Sequence, residues 1–284
     1  MRLPWTRYPH LLRQTLLSAI DDNCLGIAKA AAYSALLSFF PVLTSAAAIL
    51  VQAKAEFVSA IISSFLFEVV PPGTEEVVRY QFAVRGARST ALLVIAASLS
   101  LWAASGVMSS LMQGFQAAYK IAARRSIPHN LAVALLLVLL STLPLLVACA
   151  LMLFGGYVDR TVIGWLKVDP LLTPLAGLWQ WLSRLARYLV AFGAAIGGTC
   201  LLYYFGPYRP QRWSGVWRGA VLATVLWLLA TAGFGWYVRN MTNYNLLYGS
   251  VGASLALLVW MYLMSLIALL GCEFNAECER SVLS

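Results

Sequence analysis

The residues best suited to chemistry collect at the two ends of the last long apolar run. At its far end lies Gly271-Cys272-Glu273-Phe274-Asn275-Ala276-Glu277, with two carboxylates and an amide. At its entry lies a Tyr/Asn/Gly-rich stretch from Asn243 to Gly252, read as a polar turn, with Arg239 just before it. Glu273 and Glu277 are four apart and share one helix face. Lys29, near the start of the first apolar run, is the cation expected to reach them, because a charge buried alone is costly and a partner offsets much of that cost. Lys29, Glu273, Asn275 and Glu277 therefore form a candidate inner polar gate, or a clamp closing the first helix on the last. Arg239, Asn243, Tyr244, Asn245, Tyr248 and Gly249 form a candidate outer cluster. Its amides and phenols suit a headgroup, its guanidinium a phosphate, and the same residue types also build interfacial belts and helix caps.

Elements that carry these ends must cross lipid. Hydrophobic residues make up 61% of the 284 residues and charged ones 11%, against about 25% charged in a soluble domain. So few charges cannot coat a water-facing surface. Six runs are long and apolar enough to span, near 28–52, 90–113, 131–157, 188–205, 219–238 and 247–272. Buried backbone groups in lipid must pair internally, so the runs are helices. The expected fold is an all-α polytopic membrane bundle of about six transmembrane helices with interfacial amphipathic helices. It forms a single membrane domain over 1–284.

The connectors add detail. Residues 3–20 alternate Arg7 and Arg13 with Leu and Ile, as an interfacial helix does, and Asp21-Asp22-Asn23 is expected to cap the first span. Residues 55–70, stopped by Pro71-Pro72-Gly73, and a short amphipathic helix opened by Thr74-Glu75-Glu76 and running to Arg88 read together as a helical hairpin lying on or dipping into the membrane. Asp159 to Arg187 reads as a longer loop anchored by Trp165, Trp179 and Trp181. Pro41 and Pro144 fall inside spans, where each removes a backbone hydrogen bond and is expected to kink the helix. Small residues at Gly193, Gly197 and Gly198 permit close helix approach.

The net charge is +9. The basic residues flank apolar runs, so they are assigned to anionic headgroups rather than nucleic acid. The aromatic–basic stretch from Tyr203 to Arg218 is read the same way. With the N-terminus inside, eleven Lys/Arg fall on inner segments and nine on outer ones, and the short inner connectors at 120–125 and 209–218 hold no acid. Both termini are therefore expected in the cytoplasm. The N-terminal segment lacks the pattern of a cleaved signal peptide. The five cysteines form no CxxC pair, no metal-ligand spacing occurs, and no cofactor is expected. No nucleophile–base set can be named, which argues against an enzyme. The middle of the spans lacks ionisable groups, unlike an ion-coupled pump.

Several ordered motifs resemble the YihY/BrkB family of bacterial inner-membrane proteins. They are Ala30 to Leu43, Trp102 with Ser105, Tyr203 to Pro207 followed by Trp213 and Gly219-Ala220, Tyr244-Asn245 with Tyr248-Gly249, and Gly271-x-Glu273-x-Asn275-Ala276-Glu277. The resemblance spans nearly the whole chain. Ser34, Cys272 and Cys278 depart from its usual residues. It implies six membrane helices with cytoplasmic termini and links to envelope integrity and to transport of lipids or their precursors. A ribonuclease label has also been attached to the family, and the absence of a metal site or a histidine acid–base pair in this sequence speaks against it. The expectation is thus an inner-membrane protein that transports or hands over an envelope lipid or precursor. The alternative is a non-transporting scaffold for envelope-assembly partners. Its partners would be membrane lipids and an envelope protein.

Overall fold

The computed structural model describes residues 8–52, 90–121, 126–165, 174–240 and 244–283, and these form seven helices. They are α1 (Tyr8–Asp21), α2 (Cys24–Gln52), α3 (Thr90–Ala118), α4 (Ile127–Trp165), α5 (Pro174–Phe205), α6 (Trp213–Asn240) and α7 (Tyr244–Leu283). The expected hairpin at 55–88 lies outside the described residues.

Five of the helices hold stretches long and apolar enough to cross a membrane: Cys24–Ser45, Ile127–Pro144, Trp181–Phe205, Trp213–Tyr237 and Ser254–Ser281. The expected span at 90–113 is the first part of α3, which is not among these five. Its 29 residues are long enough to cross, at about 1.5 Å per residue, but it carries five serines from Ser98 to Ser110 and Gln113. Those hydroxyls are handled locally or by a neighbour. Ser105 and Ser110 donate to carbonyls within α3, and Ser100 meets Ser45 of α2 at 3.2 Å.

Two expectations about connectors need correction. Asp159 to Arg187 is not a long loop: α4 runs on to Trp165 and α5 begins at Pro174. Proline suits a first helical position because it has no N–H to leave unpaired, and the leucines and tryptophans after it continue the helix. The Tyr/Asn/Gly stretch after Asn243 is likewise not a turn, since α7 is helical from Tyr244. It contains no proline, and a helix satisfies its own backbone where a turn in lipid does not.

α7 is the hub. It packs against α1, α2, α3 and α6, while α2 pairs with α3 and α4 with α5. Half of its Ser254–Ser281 stretch is buried, against about a fifth or less in the other four. The outer faces stay apolar and exposed, as at Trp102, Ile127, Leu139, Leu189, Leu229 and Trp236. Such faces are what a lipid solvent requires.

Pro41 and Pro144 both lie inside helices that continue past them. Ser45 donates to the Pro41 carbonyl at 2.8 Å. Near Pro144, α5 comes close at Gly198, where an added Cβ would sit 3.6 Å from the Ser141 carbonyl oxygen.

The tightest approach joins α6 to α7. A Cβ on Gly219 would lie 2.0 Å from the Gly271 carbonyl oxygen, and one on Gly271 would lie 2.3 Å from the Tyr203 hydroxyl. Gly219→Ala should therefore cost about 1–3 kcal/mol of stability through overpacking. Gly233→Ala, on the same helix with nothing within 4 Å of its added carbon, should cost none. Thermal unfolding of both variants in detergent checks this, and equal midpoints would contradict the packing.

Candidate functional site

A cluster of charged and amide groups lies at one end of the bundle, where α1 meets α2, α3 and α5 stop, α6 starts and α7 ends. Two left-handed residues shape that end. Asn23, with φ 54°, closes α1, and its N–H bonds the Ile20 carbonyl at 3.1 Å. Asparagine tolerates this conformation better than most side chains. The Asn23 carbonyl then accepts the Ile27 N–H, so one residue ends α1 and starts α2. Lys120, with φ 53°, closes α3: its N–H bonds Ala117 and the next N–H bonds Gln116. That is a Schellman ending, which satisfies the last carbonyls of the helix.

The Lys120 ammonium donates to Asp22 Oδ1, tying the end of α3 to the α1–α2 corner. Arg280 donates to Glu277 and also to the Ala118 carbonyl, tying α7 to the end of α3. Ser18 of α1 donates to the same Glu277 oxygen at 2.6 Å. Cys24 directs its thiol at Glu273 Oε1, 3.7 Å away. Glu273 is fully buried, its other oxygen Oε2 is without a partner, and so is Asp22 Oδ2.

Asn275 plays a different part. Its Oδ1 accepts the Gly219 N–H at 2.7 Å and its Nδ2 donates to the Val216 carbonyl at 2.9 Å, both on the first turns of α6. Tyr203, with no exposed surface, donates to the Ala268 carbonyl at 2.7 Å and stands edge-on to Phe115. These bonds staple α5, α6 and α7 together just above the ion pairs.

Beside the staple, the α5–α6 connection frames a cleft of about 420 Å³ lined by Tyr204, Pro207, Tyr208, Arg209 and Gln211 among others. Arg209 lies over the Tyr119 ring, 4.4 Å from its centre, and donates to Glu279. Burial holds the Tyr119 hydroxyl well above its ordinary range, so the ring under Arg209 stays neutral. Tyr204 stacks on Trp213 with ring centres 4.7 Å apart.

The sequence-derived residues fare unevenly. Glu273, Asn275 and Glu277 are brought together and buried. Lys29 does not join them: it is exposed and makes no ion pair among the described residues. It follows Cys24 by five residues, which turns it away from the face that meets Glu273. Arg280 and Ser18 take the place expected for Lys29 on Glu277; the i, i+3 spacing of Glu277 and Arg280 was a signal for the first, whereas nothing in the sequence singles out Ser18. In the outer cluster, Asn243 lies outside the described residues. Arg239, Tyr244, Asn245, Tyr248 and Gly249 are helical, and their side chains are outside the description. No group of three or more His, Cys, Asp or Glu suited to a metal occurs among the described residues. Cys24, Cys200, Cys272 and Cys278 are buried and unbridged.

Asn275→Asp should cost more than Asn275→Ala, which itself should cost about 1–3 kcal/mol for the stranded backbone partners. The carboxylate would keep an acceptor for Gly219 but turn a lone pair toward the Val216 carbonyl. Melting curves of the two variants read the order, and an aspartate variant as stable as the wild type would remove the staple.

Comparison with known proteins agrees with the fold. The family model described as virulence factor BrkB matches residues 15–283. A protein of Bacillus subtilis named putative ribonuclease-like protein YfkH is 28% identical over 68% of this chain and 68% of its own. A UPF0761 membrane protein of Tolumonas auensis is 27% identical over 86% of this chain and 77% of its own, and one of Vibrio vulnificus 26% over 86% and 74%. No solved structure matches. With a match over nearly its whole length and a bundle of apolar helices to go with it, the chain belongs to the BrkB family of membrane proteins.

Proposed function

We propose that this protein sits in the bacterial inner membrane with both termini in the cytoplasm and moves or hands over an envelope lipid or lipid precursor. The observation that carries this reading is the distribution of polarity. The described mid-sections of the spans hold no acid or base, while one end is closed by the Lys120–Asp22 ion pair between the end of α3 and the α1–α2 corner and by hydrogen bonds that tie Glu277 and Arg280 of α7 to α1 and α3. Acyl chains need no polar lining, whereas a headgroup needs a polar way in and out. The paired end is the inner gate: Glu277, Arg280 and Ser18 close it, Glu273 lies behind them, and Asn275 fixes the helices around it. The basic residues Lys120, Arg209, Arg212, Arg218 and Arg280 at that end support the reading that it faces the cytoplasm. Lys29 is exposed at the same end and faces headgroups rather than the gate. Arg239, Asn243, Tyr244, Asn245, Tyr248 and Gly249 form the headgroup station of the opposite end. Pro41 and Pro144 are the points at which spans bend.

The reading is of a carrier without turnover chemistry of its own. The ribonuclease-like name of one relative belongs to that relative. A hydrolase would need a base and a nucleophile or metal within reach of one another.

Native mass spectrometry of protein extracted gently from its own membrane tests this, with wild type beside Glu277→Gln. Wild type should retain one lipid class in whole-number ratio, and the variant, with its gate loosened, should lose most of it while still inserting. Equal retention in both removes the gate. Bulk lipid together with a co-purifying protein supports the scaffold reading in place of transport.

A further inference from the structure

Three carboxyl groups and two cations meet at the polar end of the bundle. Lys120 engages Asp22, and Arg280 engages Glu277. Glu273, packed between them on α7, has only the Cys24 thiol. The groups facing it are Asp22 from the α1–α2 corner, Cys24 from α2, and Arg280 on its own helix, one turn beyond Glu277. Lys120 of α3 stands behind Asp22, and Arg209 from the α5–α6 connection is held by Glu279.

The bonding leaves a specific remainder. Asp22 uses Oδ1 for Lys120 and leaves Oδ2 bare, and Glu273 uses Oε1 for Cys24 and leaves Oε2 bare. Both bare oxygens are buried, and the two side chains lie against each other. Two ionised carboxylates have no hydrogen to put between such atoms, and each buried oxygen without a partner is expensive. One hydrogen between them satisfies both oxygens at once and balances the charge of the cluster. Asp22 also sits at the C-terminal end of α1, where the helix dipole disfavours a second nearby negative charge.

We propose that Glu273 and Asp22 form a proton-binding site in which Glu273 holds a hydrogen and donates it to Asp22 Oδ2, latching the α1–α2 corner to α7. Loss of that proton leaves two facing carboxylates, and their repulsion drives the corner away from α7. The site lies in the inner gate and so deepens the lipid-handling reading by giving the gate a proton to respond to. Its test reads the proton itself and stands apart from any lipid measurement.

The full-length protein in nanodiscs of phosphatidylethanolamine and phosphatidylglycerol would be examined by infrared difference spectroscopy between mildly acidic and alkaline pH, in light and heavy water. Wild type should show the carbonyl stretch of one protonated carboxyl group at neutral pH, shifted by deuterium and lost in alkali. Glu273→Gln and Asp22→Asn should each abolish it completely. Glu273→Gln should keep the wild-type melting temperature, because its amide supplies the hydrogen that Asp22 Oδ2 accepts. A wild type without the band overturns the site, as does a band that survives in either variant. A Glu273→Gln protein that fails to fold also counts against it. A sodium-dependent spectrum with no protonated carboxyl would replace the proton with a metal cation. If the band behaves as expected but no lipid is retained in the mass-spectrometric experiment, the proton site stands and the transport reading falls.

Discussion

At Gly219 and Gly271 the backbones of α6 and α7 come so near that neither position leaves room for a side chain. The contact lets Asn275 reach across and bond both a donor and an acceptor on α6. It also lets the Tyr203 hydroxyl of α5 reach the Ala268 carbonyl of α7. Lipid supplies no hydrophobic force between apolar helices, so close packing and shared hydrogen bonds must hold them. With α7 fixed in this way, its final turns have a defined face. That face carries Glu273 and Glu277 toward α1 and α3.

The polar end follows from the same logic. A carboxylate buried in an apolar bundle must find partners or stay neutral. Glu277 finds Arg280 and Ser18, and Asp22 finds Lys120. The partners come from three different helices, so satisfying the charges also closes the end. The two left-handed corners, at Asn23 and Lys120, are what bring Asp22 and the Lys120 ammonium within reach of each other. α1 contributes in a second way. Leu11 packs with Phe274 and Cys278, while Leu12, Leu16, Leu17 and Ile20 remain exposed, so a single short helix has one stripe on α7 and another free for lipid.

Much of this was legible in the residues. The long uncharged runs dictate membrane helices because nothing else can satisfy a backbone in lipid. The i, i+4 spacing of Glu273 and Glu277 dictates a shared face. Of the small residues expected to let helices approach, Gly198 does lie against α4, whereas Gly193 and Gly197 have nothing within 4 Å of an added carbon, and the closest approach falls at Gly219 and Gly271 instead. Less legible were the connectors. The stretch from Asp159 to Arg187 has the tryptophans and charges of an interface, yet most of it is helical, because amphipathic residues at a membrane surface serve a helix as well as a loop.

The sequence by itself determined that this chain is a bundle of membrane helices whose polar groups must cluster at the helix ends, since hydropathy and helical spacing are local properties. That Lys29 meets neither glutamate and that Lys120 meets Asp22 only the tertiary structure decided. Lys29 had the right charge at the right depth, but helical rotation from Cys24 turns it outward. Lys120 reaches Asp22, because the αL turn at Lys120 orients it there, while Arg280 meets Glu277 through the i, i+3 spacing of a single helix. The meeting of Asp22 with Glu273 spans 251 positions of chain and depends on how three helices pack, a relation that no pattern of neighbouring residues records.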